Sequence, residues 1–202
     1  MEPRPAATII LARSSPDGPE VLVLRRGPAT RFGPGFIVFP GGTIDPEDTE
    51  LAERWFGNTT DAPRAAAIRE LAEETQIVVT ASGVRQLRPD EDAIEVIGHA
   101  PPLPEDVPEL ARWIAPEFLE VRFDARFFAV ACERGVEARP DGMEIDLAWW
   151  ATPGDVLSEH SLGESLMWPT FNTLKALAEC RSVEEILALR MEQVAPPMPR
   201  PS

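Results

Sequence analysis

Apolar residues in this chain fall into short runs with two different periods, and those periods predict the elements. Residues 6–12 and 21–25 are dense in Ala, Ile, Leu and Val, and Ser14-Ser15-Pro16-Asp17-Gly18 lies between them. They read as two strands joined by a turn. A third run, Phe36-Ile37-Val38, stops at Phe39-Pro40-Gly41-Gly42, a strand running into a glycine turn. The period then changes. Asp61 and Pro63 suit the start of a helix, and Ile68, Leu71, Ala72 and Thr75 share one face of it at about 100° per residue. Residues 77–79 return to strand character. Residues 81–112 are polar and proline-rich, with short helices expected at 91–97 and 108–113. Leu119, Val121, Phe123, Ala125 and Phe127 then alternate with charged residues, which predicts a half-buried strand continuing to residue 130. Residues 144–150 read as the last strand. Thr152 opens a short helix, and helices at 170–178 and 183–191 follow, the latter capped by Ser182 with Glu185. Strands interleaved with helices place the chain in the α/β class. With no internal repeat and no linker, residues 1–194 are expected to form one domain, and the proline-rich residues 195–202 a disordered tail.

The predicted helix at 62–75 has a second face. Glu70, Glu73 and Glu74 lie three and four positions apart, so their carboxylates project together, with Arg69 beside them. Like charges at this spacing repel unless a cation sits over them. Such oxygen donors suit Mg²⁺ or Mn²⁺, and a solvated acidic helix face is the alternative. The glycine turn upstream carries further acid at Asp45, Glu47 and Asp48.

Turn and helix together resemble the Nudix hydrolases. The signature of that family is Gly, five residues, Glu, seven residues, then Arg-Glu-hydrophobic-any-Glu-Glu-any-Gly-hydrophobic. Gly42 matches the first glycine, Asp48 stands at the first acid, and Arg69, Glu70, Leu71, Glu73, Glu74 and Ile77 match the second half. Asp replaces Glu at 48, Gln76 replaces the helix-ending glycine, and twenty residues, 49–68, stand where the family has seven. The extra length, about 49–61, includes Leu51-Ala52-Glu53-Arg54-Trp55-Phe56, a short helical turn. This insert, with Phe32-Gly33-Pro34-Gly35, Trp113-Ile114-Ala115-Pro116, Arg122-Phe123-Asp124 and Trp168-Pro169-Thr170, is similar to a large-insert branch that contains a peroxisomal coenzyme A diphosphatase. The resemblance implies a Nudix-type α/β/α sandwich around a mixed β-sheet, with extra C-terminal helices at about 170–192. It also implies metal-dependent hydrolysis of a nucleoside diphosphate linked to another moiety, with coenzyme A or acyl-coenzyme A as first candidate. Nucleotide sugars, dinucleotides, or a ligand-binding module of low activity are the alternatives.

Within that resemblance, Glu70, Glu73, Glu74 and Asp48 are the expected metal ligands for Mg²⁺ or Mn²⁺. Glu73, Glu74 and Arg69 are expected in catalysis, Arg69 by orienting a glutamate. A general base comes from the box or from a later acid; Glu144 is a candidate, with a surface carboxylate as its other reading. Gly41, Gly42, Arg25 and Arg26 are expected against substrate, although either arginine could serve in a salt bridge instead. Phe32 and Trp55 are candidates for base stacking or for covering the core.

Charge and composition narrow the partners. The 202 residues carry a formal charge of −15, which disfavours a nucleic-acid polymer or an anionic membrane. A small diphosphate remains compatible when cations offset the field. Two well-separated cysteines, no leader pattern and no Ser-Lys-Leu ending make a cytoplasmic protein the expectation. The tryptophan-rich C-terminal half is compatible with a homodimer.

Overall fold

The computed structural model describes residues 2–30 and 33–193. The strands are β1 (Arg4–Arg13), β2 (Glu20–Arg26), β3 (Ile37–Val38), β4 (Gly41–Thr43), β5 (Ile77–Thr80), β6 (Gly83–Gln86), β7 (Glu109–Ile114), β8 (Phe123–Ala131) and β9 (Ile145–Ala151). The α-helices are α1 (Pro46–Phe56), α2 (Ala62–Thr75), α3 (Ala93–His99), α4 (Pro153–Glu159), α5 (Trp168–Ala178) and α6 (Val183–Ala188). Phe32 and the 195–202 tail lie outside the described residues.

The main sheet runs β3-β2-β1-β8-β7, with β9 paired to β2 and β4 to β1. It is mixed: β1 and β8 are parallel from Arg4↔Phe123 to Ala12↔Ala131, and the other pairs are antiparallel. Side chains alternate across it. Ile9, Leu11, Leu22, Leu24 and Phe128 meet Leu51, Ile68 and Leu71 of α1 and α2 in one core. Ile10, Val21, Val23, Phe127 and Ala129 meet Val156, Leu174, Leu177 and Ile186 of α4, α5 and α6 in another. Two cores on opposite faces of one sheet make the expected α/β/α sandwich. Among the described residues no helix is long and apolar enough to cross a membrane.

β1 and β2 pair only at Ala12↔Val21 and Arg13↔Glu20, then diverge. Into that opening goes β4, registered against β1 as Ala6↔Thr43, Ala7↔Gly42 and Thr8↔Gly41. The glycine turn is thereby pressed between β1 and α2.

Three expectations are corrected. Residues 108–113 form strand β7 rather than a helix: Pro108 can open either element, and pairing with β8, reinforced by Arg112–Asp124 and Arg126–Glu109 ion pairs, decides for strand. The alternating run does not begin at 119; strand β8 starts at Phe123, and Leu119 and Val121 are exposed. Burial along β8 is uneven: Phe123 to Arg126 are partly exposed, whereas Phe127 to Val130 are all buried between two helical layers. The final helix stops at Ala188, after which Met191 N–H donates to Leu110 O at 2.7 Å. Gln193 continues along β7, its amide accepting from Ile114 N–H at 3.0 Å and donating to Ile114 O at 2.8 Å.

Candidate active site

The glycine turn is set by close approach. A Cβ on Gly41 would run into Ala7 O and Thr8 Cα, and one on Gly42 into the Glu70 carboxylate. Only glycine leaves β4 in its register on β1 while α2 lies this close. Gly41 N–H donates to Glu74 Oε2 at 3.0 Å, which ties the turn to the last turn of α2. That helix ends at Gln76 in the left-handed region, φ 57°, its N–H bound to Ala72 O.

Arg69, 5% exposed, organises the acids. Its Nε and Nη2 donate to Asp48 Oδ1 and Oδ2 at 2.8 and 3.0 Å, a two-point clamp. Its Nη1 reaches Glu70 Oε1 at 3.0 Å and Glu73 Oε2 at 2.9 Å, and Nη2 also reaches Thr43 O at 3.3 Å. Burial works against the Arg69 charge, but the bonds to Asp48 and the charges of Glu70 and Glu73 outweigh it and raise the pKa. Asp48 is completely buried, and its Oδ2 also accepts from Asp45 N–H at 2.8 Å. Both of its oxygens are thus engaged inside the fold, and it does not line the cleft. Asp48 was expected as a metal ligand; its carboxylate is instead bound to Arg69 and the Asp45 N–H.

The remaining acids carry charge the fold does not fully offset. Burial raises Glu70 to about 7, with Arg69 opposing and Glu73 adding to the rise. Burial likewise raises Glu74 to about 8; the Gly41 N–H opposes this and Glu70 adds to it. Glu73 is half exposed. All three, with Gly41, Gly42 and Arg26, line a cleft of about 640 Å³. Among the described residues no group of three or more His, Cys, Asp or Glu side chains is arranged to hold a metal ion as it stands. One oxygen each of Glu70 and Glu73 accepts from Arg69, and one of Glu74 from Gly41 N–H. The donor chemistry nevertheless fits Mg²⁺ or Mn²⁺. Three carboxylates offer oxygen alone, and two of them are driven toward protonation by burial and by mutual repulsion that a dication would relieve.

The loop before β9 also lines the cleft. Asp141 Oδ1 accepts the N–H groups of Met143, Glu144 and Ile145 at 3.1, 3.1 and 2.9 Å. Burial alone would raise Asp141, but these bonds outweigh it and hold the carboxyl below its usual value. The clamp fixes Glu144 at the cleft with its side chain largely exposed, and Arg26 Nη2 lies 3.9 Å from Glu144 Oε2. Sequence reasoning did not single out Asp141; the Pro140-Asp141-Gly142 turn was the signal that could have found it.

The two arginines separate. Arg26 faces the cleft, whereas Arg25 points away from it and donates to Asp146 at 2.9 and 3.0 Å. Period-two alternation on β2 puts adjacent residues on opposite sides, so one of the pair had to be lost to the site. Trp55 packs in the core beside α2 instead of lining the cleft.

A NUDIX domain model matches residues 2–165, and the chain belongs to that family. The chain is similar to a NUDIX hydrolase of Alicyclobacillus acidocaldarius, with a TM-score of 0.81 and 32% identity over 94% of this chain and 97% of that one. It also matches the NUDIX domain of Shewanella oneidensis NrtR, solved with ADP ribose, at a TM-score of 0.55 and 14% identity over 87% of this chain and 86% of that one, which speaks for the fold alone. A Caenorhabditis elegans protein called nudix hydrolase 7 is 40% identical over 80 residues, 40% of this chain but 24% of that protein's length.

Proposed function

We propose that this chain hydrolyses the pyrophosphate bond of a nucleoside diphosphate joined to a second moiety, with Mg²⁺ or Mn²⁺ as cofactor. The observation that carries the reading is the set Glu70, Glu73 and Glu74, held by Arg69 and by Gly41–Gly42 at the floor of one cleft. Glu70, Glu73 and Glu74 would hold the dication. When bound, it would offset phosphate charge and lower the pKa of a water. Arg69 acts through the glutamates: its guanidinium fixes one oxygen on each of two neighbours and so sets where the others face. Asp48 in turn fixes Arg69 and is a positioning residue. Gly41 and Gly42 let the turn pack against β1 and the Glu70 carboxylate at the cleft, and Arg26 supplies positive charge at the cleft wall. Glu144, exposed at the cleft, is the proposed base for the attacking water; Asp141 holds the loop that presents it. Arg25, paired with Asp146 outside the cleft, has no part.

Coenzyme A or acyl-coenzyme A is the first substrate to test, on the strength of the large-insert resemblance. ADP ribose, the compound solved with the S. oneidensis domain, is added as a further ADP-linked candidate. A panel of both, with nucleotide sugars and dinucleotides, assayed for phosphate products with Mg²⁺ and Mn²⁺, tests the reading. Turnover abolished in Glu73→Gln and Glu74→Gln is the expected result. Tight binding without turnover identifies a ligand-binding module, and rapid cleavage of a nucleotide sugar with coenzyme A inert removes the branch assignment.

A further inference from the structure

The acidic cleft does not stand alone. A second cavity of about 640 Å³ opens beside it, and Phe123, Ala125, Met167 and Pro169 line both. Its wall is almost wholly apolar: among the described residues that line it, Glu120 and Gln193 are the ones with a charged or amide side chain. Trp113 and Trp168 form part of the inner surface, and the segment between β7 and β8 closes the outer side. That segment carries Phe118, Leu119 and Val121 at 47%, 45% and 47% exposure, and Leu162 at 38% faces the same space. Four of the seven exposed large hydrophobic side chains among the described residues are therefore gathered at one concavity. Scattered exposed apolar side chains are ordinary; a cluster lining a hollow of ligand size marks a binding surface.

We propose that this chamber binds an apolar chain carried by the moiety on the far side of the scissile diphosphate, so that the preferred substrates are amphiphilic nucleoside diphosphate esters. The inference rests on the hydrolase reading of the adjoining cleft. A diphosphate held in the acidic cleft has two directions to extend, and the shared residues Phe123, Ala125, Met167 and Pro169 make one of them a dry wall. A sugar or second nucleotide placed there would lose hydrogen bonds to water without regaining them. A hydrocarbon chain would instead cover the exposed Phe118, Leu119, Val121 and Leu162. Each buried methylene strengthens binding by about three- to fourfold.

The test uses ADP alkyl esters from ethyl to dodecyl, a parallel series of acyl-coenzyme A esters, and methylene-bridged, uncleavable versions of the alkyl esters. kcat/KM is measured for the cleavable compounds and Kd for the bridged ones. Affinity of the bridged series and kcat/KM should rise about tenfold per added pair of methylenes until the chamber is full. Phe118→Ser combined with Leu162→Gln, both at exposed positions, should lower the octyl-to-ethyl ratio about tenfold. A rise confined to the acyl-coenzyme A series means the chain arrives at the end of a long polar arm; a rise in the alkyl series means it is joined next to the phosphate. Either supports the chamber. Flat Kd and kcat/KM across both series overturn it, even if the short esters are cleaved and the hydrolase reading stands. A length-dependent Kd with no cleavage of any compound keeps the chamber and removes the hydrolase. If the double variant leaves the ratio untouched but converts a dimer to a monomer in sedimentation, the surface belongs to a second copy of this chain and the proposal falls.

Discussion

The acidic cleft and the apolar chamber share four residues and a similar volume, yet they are built by opposite means. In the cleft, position is enforced from inside the fold: buried Asp48 holds buried Arg69, Arg69 holds Glu70 and Glu73, and glycine backbone holds Glu74. In the chamber the lining side chains are almost all apolar, and much of the wall is a connection between strands. The first arrangement suits chemistry that needs fixed geometry, the second a partner recognised by size and dryness. Substitutions in the cleft should therefore act alike on every substrate, whereas those in the chamber should change the preference between substrates.

The largest effect is expected from Glu74→Gln, which keeps the shape and removes the charge. Steady-state assays should show kcat falling by on the order of 10²- to 10⁴-fold for short and long esters alike. Asp48→Ala comes next. It strips the buried partner from Arg69 and should cost about 3–5 kcal/mol of stability in denaturant unfolding. Asp48→Glu, which can still pair, should recover part of the loss; full stability in the alanine variant would contradict the positioning role. Gly42→Ala puts a methyl against the Glu70 carboxylate and should lower kcat about 10²-fold with a smaller change in KM.

A pH experiment sharpens the contrast further. Glu70 near 7 and Glu74 near 8 are both raised from 4.5, so the metal-free fold favours their protonated forms. Their contribution to stability is complete below about pH 4.5 and is lost as pH rises through 7 and then 8. Melting in EDTA should show Tm declining across that window, and the Tm gain from added Mg²⁺ should widen over the same range. A metal-induced gain independent of pH would remove these two glutamates from the ligand set. The smallest effect belongs to Gln76→Gly, which relieves a non-glycine left-handed residue at the end of α2 and should stabilise by about 1 kcal/mol. It sits beyond the cleft and the chamber and should leave the preference between esters as it was.

What could be read in the sequence was whatever short-range spacing determines. The α2 glutamates, their apolar counter-face of Ile68, Leu71, Ala72 and Thr75, the glycine turn and the left-handed end at Gln76 all depend on residues a few positions apart. The mixed sheet followed from the family resemblance and is found. Interactions between distant segments escaped. Residues 109–114 are a strand because β8 pairs with them. Asp48 is withdrawn from the cleft because Arg69, 21 positions away, claims both its oxygens. Arg25 and Arg26 could be parted only once the side of β2 facing β9 and the cleft was known. The chamber was invisible, since residues near 36, 113, 118 and 162 meet only after folding.

Gln193 gives the sheet a margin. Its carboxamide offers Ile114 one donor and one acceptor, much as an adjoining peptide would, and Met191 N–H donates to Leu110 O. The outermost strand is thus denied to stray polypeptide. A version of the chain cut back to residue 189 should remain folded but clump on concentration, as unsheathed backbone recruits neighbours by strand addition.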